Sequence, residues 1–446
     1  RETHLSGFIP TIVDMFGQKD TNVYGLVPGL GFAFGLEGGE KFINKSLSRD
    51  WLVMDTMNIS PAVYNSAEKL ELRAQIEPIK NLKIELNANY ENNKRTEIQY
   101  MSKGMPRTLG GNYSMTTIAL KTTLRGSNSK NDYQSDTFDK FLAYKEIIKN
   151  RLQKQYNNVT LPDGLASGNA ATVNPNSGDV LIPAFIAAYT GRDVNNISMS
   201  AFPSIWSILP NWNITYDGLS NIPLIKSKFR SLRLSHSYSC FYQVGSYSSF
   251  SGWQQAIGGG DDLGYIRDVL GGNPIPSSPY NISSVGITEL FRPLIGAEGI
   301  LNNNMNINAQ YNSGRTLTLN MSSYQIIEYL EKEFVLGFGY RINEFNRVIG
   351  LKSRTPKNFN NDLNIKTEVS YKSSEALLRK IEEYFTQATS GVTVFTLKIS
   401  ADYTLSRALT LRAFYDRILN KPLISASSYP TTNSNFGISL KFTLVQ

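Results

Sequence analysis

Residues that perform acid–base or metal chemistry are scarce in this sequence. The chain of 446 residues has two histidines, His4 near the start and His236 in a segment with strand periodicity. The sequence therefore has too few histidines to favour a histidine-based metal cluster or a histidine-dependent catalytic triad. The single cysteine, Cys240, has no second cysteine with which to form an internal disulfide.

Carboxylates occur as adjacent pairs, which is typical of a solvated surface rather than of an acid/base pair. One pair is Glu382/Glu383, and the other is Asp261/Asp262 in a glycine-rich stretch, 258–274. The two aspartates could hold a calcium ion, but no spaced set of oxygen ligands surrounds them, which favours a flexible loop tip.

A second glycine-rich stretch, 29–35, resembles a dinucleotide-binding loop but has the wrong spacing for its third glycine. An aromatic alternation replaces the helix that such a loop precedes, so we predict a glycine-rich strand. The sequence thus predicts no catalytic residues, no cofactor-binding residues, no metal ligands and no cofactor. We expect a protein that is not an enzyme.

Strand periodicity, by contrast, recurs through most of the chain and ends it. The segment 436–444 alternates apolar and polar residues with a period of two, the pattern of a strand whose two faces meet different surroundings. Such alternation is typical of the strands of outer-membrane barrels, and a soluble sandwich with one buried face shows the same alternation. The clearest hairpin joins 70–77 to 82–90 through 78–81 and places its apolar residues on one face.

We predict roughly sixteen strands in total. Besides the hairpin they lie at 24–36, 93–101, 113–125, 211–218, 230–245, 284–296, 304–312, 314–328, 333–343, 359–371, 375–386, 391–403, 408–419 and 435–446. The segment 375–386 fits a helix equally well, and Pro293 interrupts 284–296. The predicted fold class is all-β, an antiparallel transmembrane β-barrel wall that forms part of a larger barrel.

The composition permits this fold. Apolar residues make up 41% of the chain and the mean hydropathy is −0.26, and no stretch approaches the ~20 apolar residues that a membrane helix needs. Barrel strands need only every second residue to be apolar. The net charge is +8, but lysines and arginines are scattered rather than clustered, which does not indicate a nucleic-acid partner.

Tyrosines near the predicted strand ends suit the aromatic girdles of a membrane barrel. They are Tyr90, Tyr100, Tyr311, Tyr340, Tyr371 and Tyr403. Sheet proteins are rich in aromatic residues in general, so the sequence leaves both explanations open.

The lengths of the connections predict a topology, because consecutive strands of a meander alternate in direction. With the C-terminus in the periplasm, the long connections fall outside: 37–67, 126–210, 246–283, 344–358 and 420–434. Short turns fall inside: 78–81, 219–229, 297–303, 329–332, 372–374 and 404–407. We therefore expect a polar N-terminal segment, 1–23, without a signal peptide, and a barrel, 24–446, in the bacterial outer membrane. Its insertions at 37–67, 126–210 and 246–283 are expected at the cell surface.

The insertion 126–210 contains a predicted amphipathic helix with Asp136 as its N-cap. The apolar positions at helical spacing are Phe138, Phe141, Leu142, Ile148 and Leu152. Such a helix is either a lid or docking surface for another protein, or a helix that packs on its own loop.

Three segments resemble one known family. They are 211–223, beginning Asn-Trp-Asn-Ile-Thr-Tyr-Asp; 232–247, beginning Leu-Arg-Leu-Ser-His-Ser-Tyr; and 414–424, beginning Phe-Tyr-Asp-Arg-Ile-Leu-Asn. With the final strand, they are similar to the C-terminal part of the SprA/Sov family. These proteins are the outer-membrane translocon of the type IX secretion system and of gliding motility in Bacteroidetes. The resemblance does not account for 126–210.

The resemblance implies that the chain is one portion of a large barrel through which folded cargo proteins cross the outer membrane. The implied partners are the remainder of a SprA-like barrel, a PorV-like shuttle barrel, a plug protein, a periplasmic peptidyl-prolyl isomerase, secreted cargo proteins and outer-membrane lipid. An open sheet edge in lipid leaves backbone groups unsatisfied, which also favours a fragment that continues into other strands. Two alternatives are a self-closed porin for small solutes and a soluble β-rich surface adhesin.

Overall fold

One antiparallel sheet dominates the structure. The computed structural model describes residues 2–4, 39–49, 51, 61–99, 108–123, 133–161, 172–258, 262–343, 345, 362–405, 408–424 and 428–442. Within these residues, fourteen strands form one large sheet and three more form a small one. The predicted strand at 24–36, with its glycine-rich stretch, lies outside the described residues.

The strands follow one another along the chain with few helices between them. They are β1 (Glu2–His4), β2 (Ala62–Ile79), β3 (Leu82–Ile98), β4 (Thr108–Thr116), β5 (Asn211–Tyr216), β6 (Phe229–Ser249), β7 (Gln254–Gln255), β8 (Gly264–Arg267), β9 (Pro274–Ser277), β10 (Tyr280–Ile282), β11 (Ser284–Leu301), β12 (Met305–Asn320), β13 (Gln325–Ile342), β14 (Leu363–Lys380), β15 (Phe385–Thr404), β16 (Leu409–Pro422) and β17 (Thr431–Phe442). The α-helices are α1 (Gly39–Ser48), α2 (Leu120–Thr123), α3 (Asp136–Tyr156), α4 (Gly178–Thr190) and α5 (Pro223–Lys226).

The order of strands in the large sheet is β1-β2-β3-β4-β6-β11-β12-β13-β14-β15-β16-β17, with β5 and β10 beside it. All of its pairings are antiparallel, so the predicted all-β antiparallel fold is confirmed. The predicted first hairpin is confirmed too, since Ile76 pairs with Ile84 and Ala74 with Leu86. Strands β7, β8 and β9 form the separate small sheet.

Several strands are longer than the sequence predicted. Strand β13 has 18 residues and β14 also has 18, whereas about 9–11 residues suffice to cross a bilayer. The turns predicted at 329–332 and 372–374 are wrong, because both segments lie inside these strands. Polar residues in mid-strand had the composition of turns. In the structure, Glu331 of β13 and Lys372 of β14 are diagonal neighbours on adjacent strands, with 3.0 Å between their charged atoms. The predicted strand 93–101 is likewise, up to Ile98, the continuation of β3, and its last two residues lie outside the described residues.

Each connection can be assigned to one end of the sheet. We call the end that carries the turn 80–81 the lower end and the opposite end the upper end. The lower end has the connections 80–81, 217–228, 302–304 and 405–408, and the upper end has 250–283, 321–324, 381–384 and 423–430. The prediction that every long connection shares one end is wrong. The segment 343–362 joins β13 to β14 at the lower end, because the strands on either side of it were miscounted.

The insertion between β4 and β5 interrupts a single wall strand. Thr116 at the end of β4 pairs with Phe241 of β6, and Trp212 at the start of β5 pairs with Tyr238 of the same strand. The residues 117–210 therefore emerge from the middle of the wall, and not, as predicted, from an end of the sheet. The predicted strand 113–125 accordingly ends at Thr116.

The insertion has its own helical core, which packs on the sheet. Helix α3 confirms the predicted helix, although its N-cap is Ser135, whose side chain accepts a hydrogen bond from the N–H of Phe138. Phe141 and Ile148 are buried against α4 and the wall. Helix α4, which the sequence analysis missed, is buried on all sides and so lacks the amphipathic period that marked α3.

Candidate functional site

The two faces of the large sheet differ in chemistry. An apolar face carries a row of directly paired side chains across five strands: Tyr311, Phe334, Tyr371, Phe395 and Leu419. Three members of this row are exposed: Phe334 at 43%, Tyr371 at 52% and Leu419 at 37%. Large apolar side chains on a face open to solvent indicate contact with another apolar phase.

Below this row the apolar residues continue towards the lower end of the sheet. On β13 they alternate from Phe334 to Ile342, about nine residues, which matches the length of strand that crosses a bilayer. The predicted girdle residues Tyr340 and Tyr403 lie near the lower end of the same face. Tyr90 instead lies buried beneath the insertion, and Tyr100 is outside the described residues.

The opposite face is polar and forms a cleft of about 1020 Å³. Its lining runs from Arg233 on β6 to Ser439 on β17, which are seven steps apart in the order of strands. In a flat sheet, seven steps from strand to strand would span about 34 Å. Since one cleft is bounded by both strands, the sheet curls around its polar face. The polar face is therefore concave and the apolar face convex.

Charged side chains on the concave face alternate in sign. Glu368 lies 3.5 Å from Lys398, and Lys398 is also the register partner of Asp416. Asp402 lies 3.6 Å from Arg412 on the neighbouring strand. These exposed pairs add little stability, but they place a negative charge beside each of these positive charges. The cleft surface therefore has no single dominant sign along these strands.

The insertion is fastened to the convex face by a first buried polar cluster. Glu289 of β11 and Arg315 of β12 form an ion pair of 3.0 Å. Arg315 also donates to the hydroxyl and the carbonyl of Thr122, at 2.9 and 3.2 Å. The Tyr238 hydroxyl donates to Glu289 at 2.7 Å and accepts from the Ala119 N–H at 2.9 Å.

A second cluster fixes the start of helix α3. Arg379 of β14 binds Glu328 of β13, and its Nη1 donates to the carbonyl of Tyr133 at 2.8 Å. The same guanidinium lies 5.7 Å from the ring centroid of Phe138. Because both ions are buried, removing one of them leaves the other without compensation.

A third contact joins the insertion to the turn between β14 and β15. Lys145 of α3 donates to the Asn176 side-chain oxygen at 2.8 Å, and the Asn176 amide donates to Glu382 at 2.7 Å. With three such fastenings, α3 packs on its own insertion and on the wall. These contacts show that the helix packs on its own insertion, while its role as a lid or docking surface stays a prediction.

The residues considered for catalysis lie apart. His236 is on the convex face, where its Nδ1 lies 2.6 Å from the Leu294 carbonyl oxygen, and Cys240 is buried beneath the insertion. Glu383 pairs with Lys380 at 2.9 Å, away from the contact that Glu382 makes. Within the described residues, no three metal-binding side chains of His, Cys, Asp or Glu come together. Asp261 lies outside these residues.

The charge pairs of the concave face were not predicted. Each partner lies on a different strand, so only the register brings Glu368 to Lys398 or Asp402 to Arg412. Alternating polar residues were the one signal in the sequence, and they do not identify partners. None of the helices in the described part of the chain combines the length and the apolarity that a membrane crossing needs.

Together the fold and its two faces define an antiparallel β-barrel wall of the outer-membrane type. No family model matches the chain, and no curated protein matches it. Among solved structures, the chain is similar to the trimer form of in-vitro folded OmpT, an outer membrane protein of Vibrio cholerae. The identity is 10% and the TM-score 0.20, over 86% of this chain and 99% of that one. A loop L8 deletion mutant of OmpT matches at 8% identity and a TM-score of 0.20, over 86% of this chain and 99% of that one.

Proposed function

We propose that this chain is part of the wall of a protein-conducting channel in the bacterial outer membrane. The observation that carries this proposal is the curled sheet with a charged concave face, an apolar convex face and two open edges. Among the described residues, β17 pairs only with β16, and β1 only with β2. Open edges in lipid cost several kcal/mol for each unsatisfied backbone group, so such a wall continues into further strands.

The chemistry of the concave face supports passage of proteins rather than of one class of ion. A pore that selects ions through charged side chains is lined by rings of one sign. Here Glu368, Lys398 and Asp416 alternate along neighbouring strands, as do Asp402 and Arg412. Such a lining offers no strong attraction for cargo of either charge.

The sequence resemblance to the SprA/Sov family makes this proposal specific. In this proposal, the chain is the C-terminal portion of the type IX secretion translocon, which exports folded cargo proteins and supports gliding motility. Its partners are the remainder of the barrel, a PorV-like shuttle barrel, a plug protein and a periplasmic peptidyl-prolyl isomerase. It acts as a wall and not as an enzyme.

The test is to purify the native assembly in detergent and to measure its size and composition alongside cargo export. Deletion of 431–446, which removes β17, should stop export of cargo. The exchange Ser439→Thr, on the polar face of the same strand, should leave export unchanged. Wild-type chain should elute only within an assembly larger than itself.

Two results would overturn the proposal. A stable barrel made of this chain alone, which conducts small solutes while cargo export survives its deletion, would identify a porin. Recovery of the chain in the aqueous fraction without detergent would identify a soluble adhesin.

A further inference from the structure

A pocket lies where the insertion leaves and rejoins the wall. It has a volume of about 290 Å³, and its polar lining comprises Arg192, Asp193, Asn196, Ser198, Ser204 and Ser207. It is separate from the cleft on the concave face, because its residues belong to the insertion, which packs on the convex face.

Arg192 in this pocket is partly buried and lacks the carboxylate partner that the buried Arg315 and Arg379 have. Its Nη2 donates to the Thr117 hydroxyl at 3.2 Å and to the Ser207 carbonyl at 3.3 Å, which are both neutral groups. Within the described residues, no carboxylate lies at ion-pair distance from it, whereas Arg315 and Arg379 are each paired. Burial lowers the pKa of Arg192, which is the direction expected for a cation without enough compensation.

The loop around the pocket is held in place by hydrogen bonds of its own. Arg151 of α3 donates to the carbonyls of Val194 and Ile197, at 2.5 and 2.9 Å. The Asp193 carboxylate accepts from the Asn195 N–H at 3.0 Å and from the Asn196 amide at 2.6 Å. The Asp193 carboxylate is thus engaged within the loop and does not form an ion pair with Arg192.

The pocket lies at the upper limit of the apolar convex face. The Ser207 hydroxyl lies 3.6 Å from the Met115 sulfur, and the Leu209 N–H donates to the Thr116 carbonyl at 3.3 Å. The indole of Trp206, in the same short turn, is 93% exposed, and tryptophan is enriched where a protein surface passes from lipid to water. Below this level Trp212 begins the apolar part of β5.

We propose that the pocket binds a phosphate group on the headgroup of an outer-leaflet glycolipid. Arg192 supplies the counter-charge. The hydroxyls of Ser198 and Ser204 accept hydrogen bonds from the N–H groups of Ser200 and Trp206, so their own protons serve as neutral donors. Guanidinium groups recognise phosphate through charge-assisted hydrogen bonds, and the volume suffices for a phosphate with part of a sugar. This inference rests on the proposed function for its placement at the membrane.

The experiment uses the full chain in its purified assembly. The probes are phosphatidylcholine vesicles that contain lipid A, the same vesicles with dephosphorylated lipid A, and inorganic phosphate as a competitor. Wild-type protein should prefer phosphorylated lipid A, and Arg192→Gln should weaken that binding by at least about tenfold. Arg192→Lys should retain part of the affinity. Arg267→Gln, a change at an exposed arginine of β8, is the matched control and should bind like wild type.

Circular dichroism and the size of the assembly show that each variant is folded. Equal affinity of folded Arg192→Gln and wild type for lipid A would overturn the inference, as would equal binding of phosphorylated and dephosphorylated lipid A. Binding of inorganic phosphate without any binding of lipid A would overturn the lipid assignment. Cargo export and assembly size are independent of these measurements, so a failure here is distinguishable from a failure of the proposed function.

Discussion

Arg379 donates two hydrogen bonds to Oε2 of Glu328, from Nε at 2.9 Å and from Nη2 at 2.7 Å. The pair joins β14 to β13 and lies under the start of helix α3. Since the guanidinium also binds the Tyr133 carbonyl, one residue connects the two wall strands to the insertion. The stability of the wall and the attachment of the insertion therefore depend on the same buried charge.

Replacement of Arg379 by Met should destabilise the protein by about 3–5 kcal/mol, because it leaves Glu328 buried without a counter-ion. Urea unfolding measures the loss. The double variant Arg379→Met/Glu328→Leu should recover much of it. Lys380→Gln, at the neighbouring exposed ion pair, should cost less than about 1 kcal/mol. Equal losses in Arg379→Met and Lys380→Gln would contradict the buried role.

Ile84 and Glu85 test the assignment of the two faces. Ile84 pairs with Ile76 and Ile214 on the convex face, and Glu85 points to the other side of the same strand. Ile84→Arg should cost roughly 2–4 kcal/mol if its side chain meets lipid near the bilayer midplane. Glu85→Gln should cost much less. Similar assembly defects in the two variants would show that the faces are assigned wrongly.

Cysteine labelling tests the orientation of the sheet, with the C-terminus expected in the periplasm. Cys240 is buried, so the wild-type chain should react little with a membrane-impermeant maleimide. Ser323→Cys, in the upper turn between β12 and β13, should be labelled on intact cells. Lys80→Cys, in the lower turn between β2 and β3, should be labelled only after the outer membrane is permeabilised. The reverse pattern would invert the topology.

The stability of the insertion is expected to depend on pH through the buried carboxyl of Asp179. Burial raises the pKa of this carboxyl above its ordinary value of 3.8, although it accepts a hydrogen bond from the Ser278 N–H at 2.9 Å. A raised pKa means that the folded state holds the proton more tightly. The contribution of Asp179 to stability therefore falls as pH rises from 3.8 through the raised pKa.

The variant Asp179→Asn keeps an oxygen acceptor but does not titrate. Its stability relative to wild type, measured as a urea midpoint, should increase from acidic to neutral pH. Glu146→Gln, on the exposed side of α3, should follow the wild-type profile. A constant difference between Asp179→Asn and wild type across this range would contradict the assigned cause.

The sequence by itself determined the fold class and the facing of the side chains. Alternation with a period of two is a local property, so it assigned Ile84 and Glu85 to opposite faces of one strand before any pairing was known. Helix α3 was likewise visible from the spacing of Phe138, Phe141 and Ile148. The local sequence did not determine where a strand ends. Glu331 and Lys372 look like turn residues in the sequence, and only the structure shows that they form an ion pair between neighbouring strands.

The tertiary structure alone decided the relations between distant segments. Thr116 and Trp212 belong to one interrupted wall strand, although a long insertion separates them in the sequence. Only their pairing with the same strand, β6, reveals this. The pairing of Arg379 with Glu328 is a relation of the same kind. So is the lack, in the described part of the chain, of a carboxylate at ion-pair distance from Arg192. Desolvation and charge compensation depend on which groups meet in space, and no periodicity along the chain encodes that.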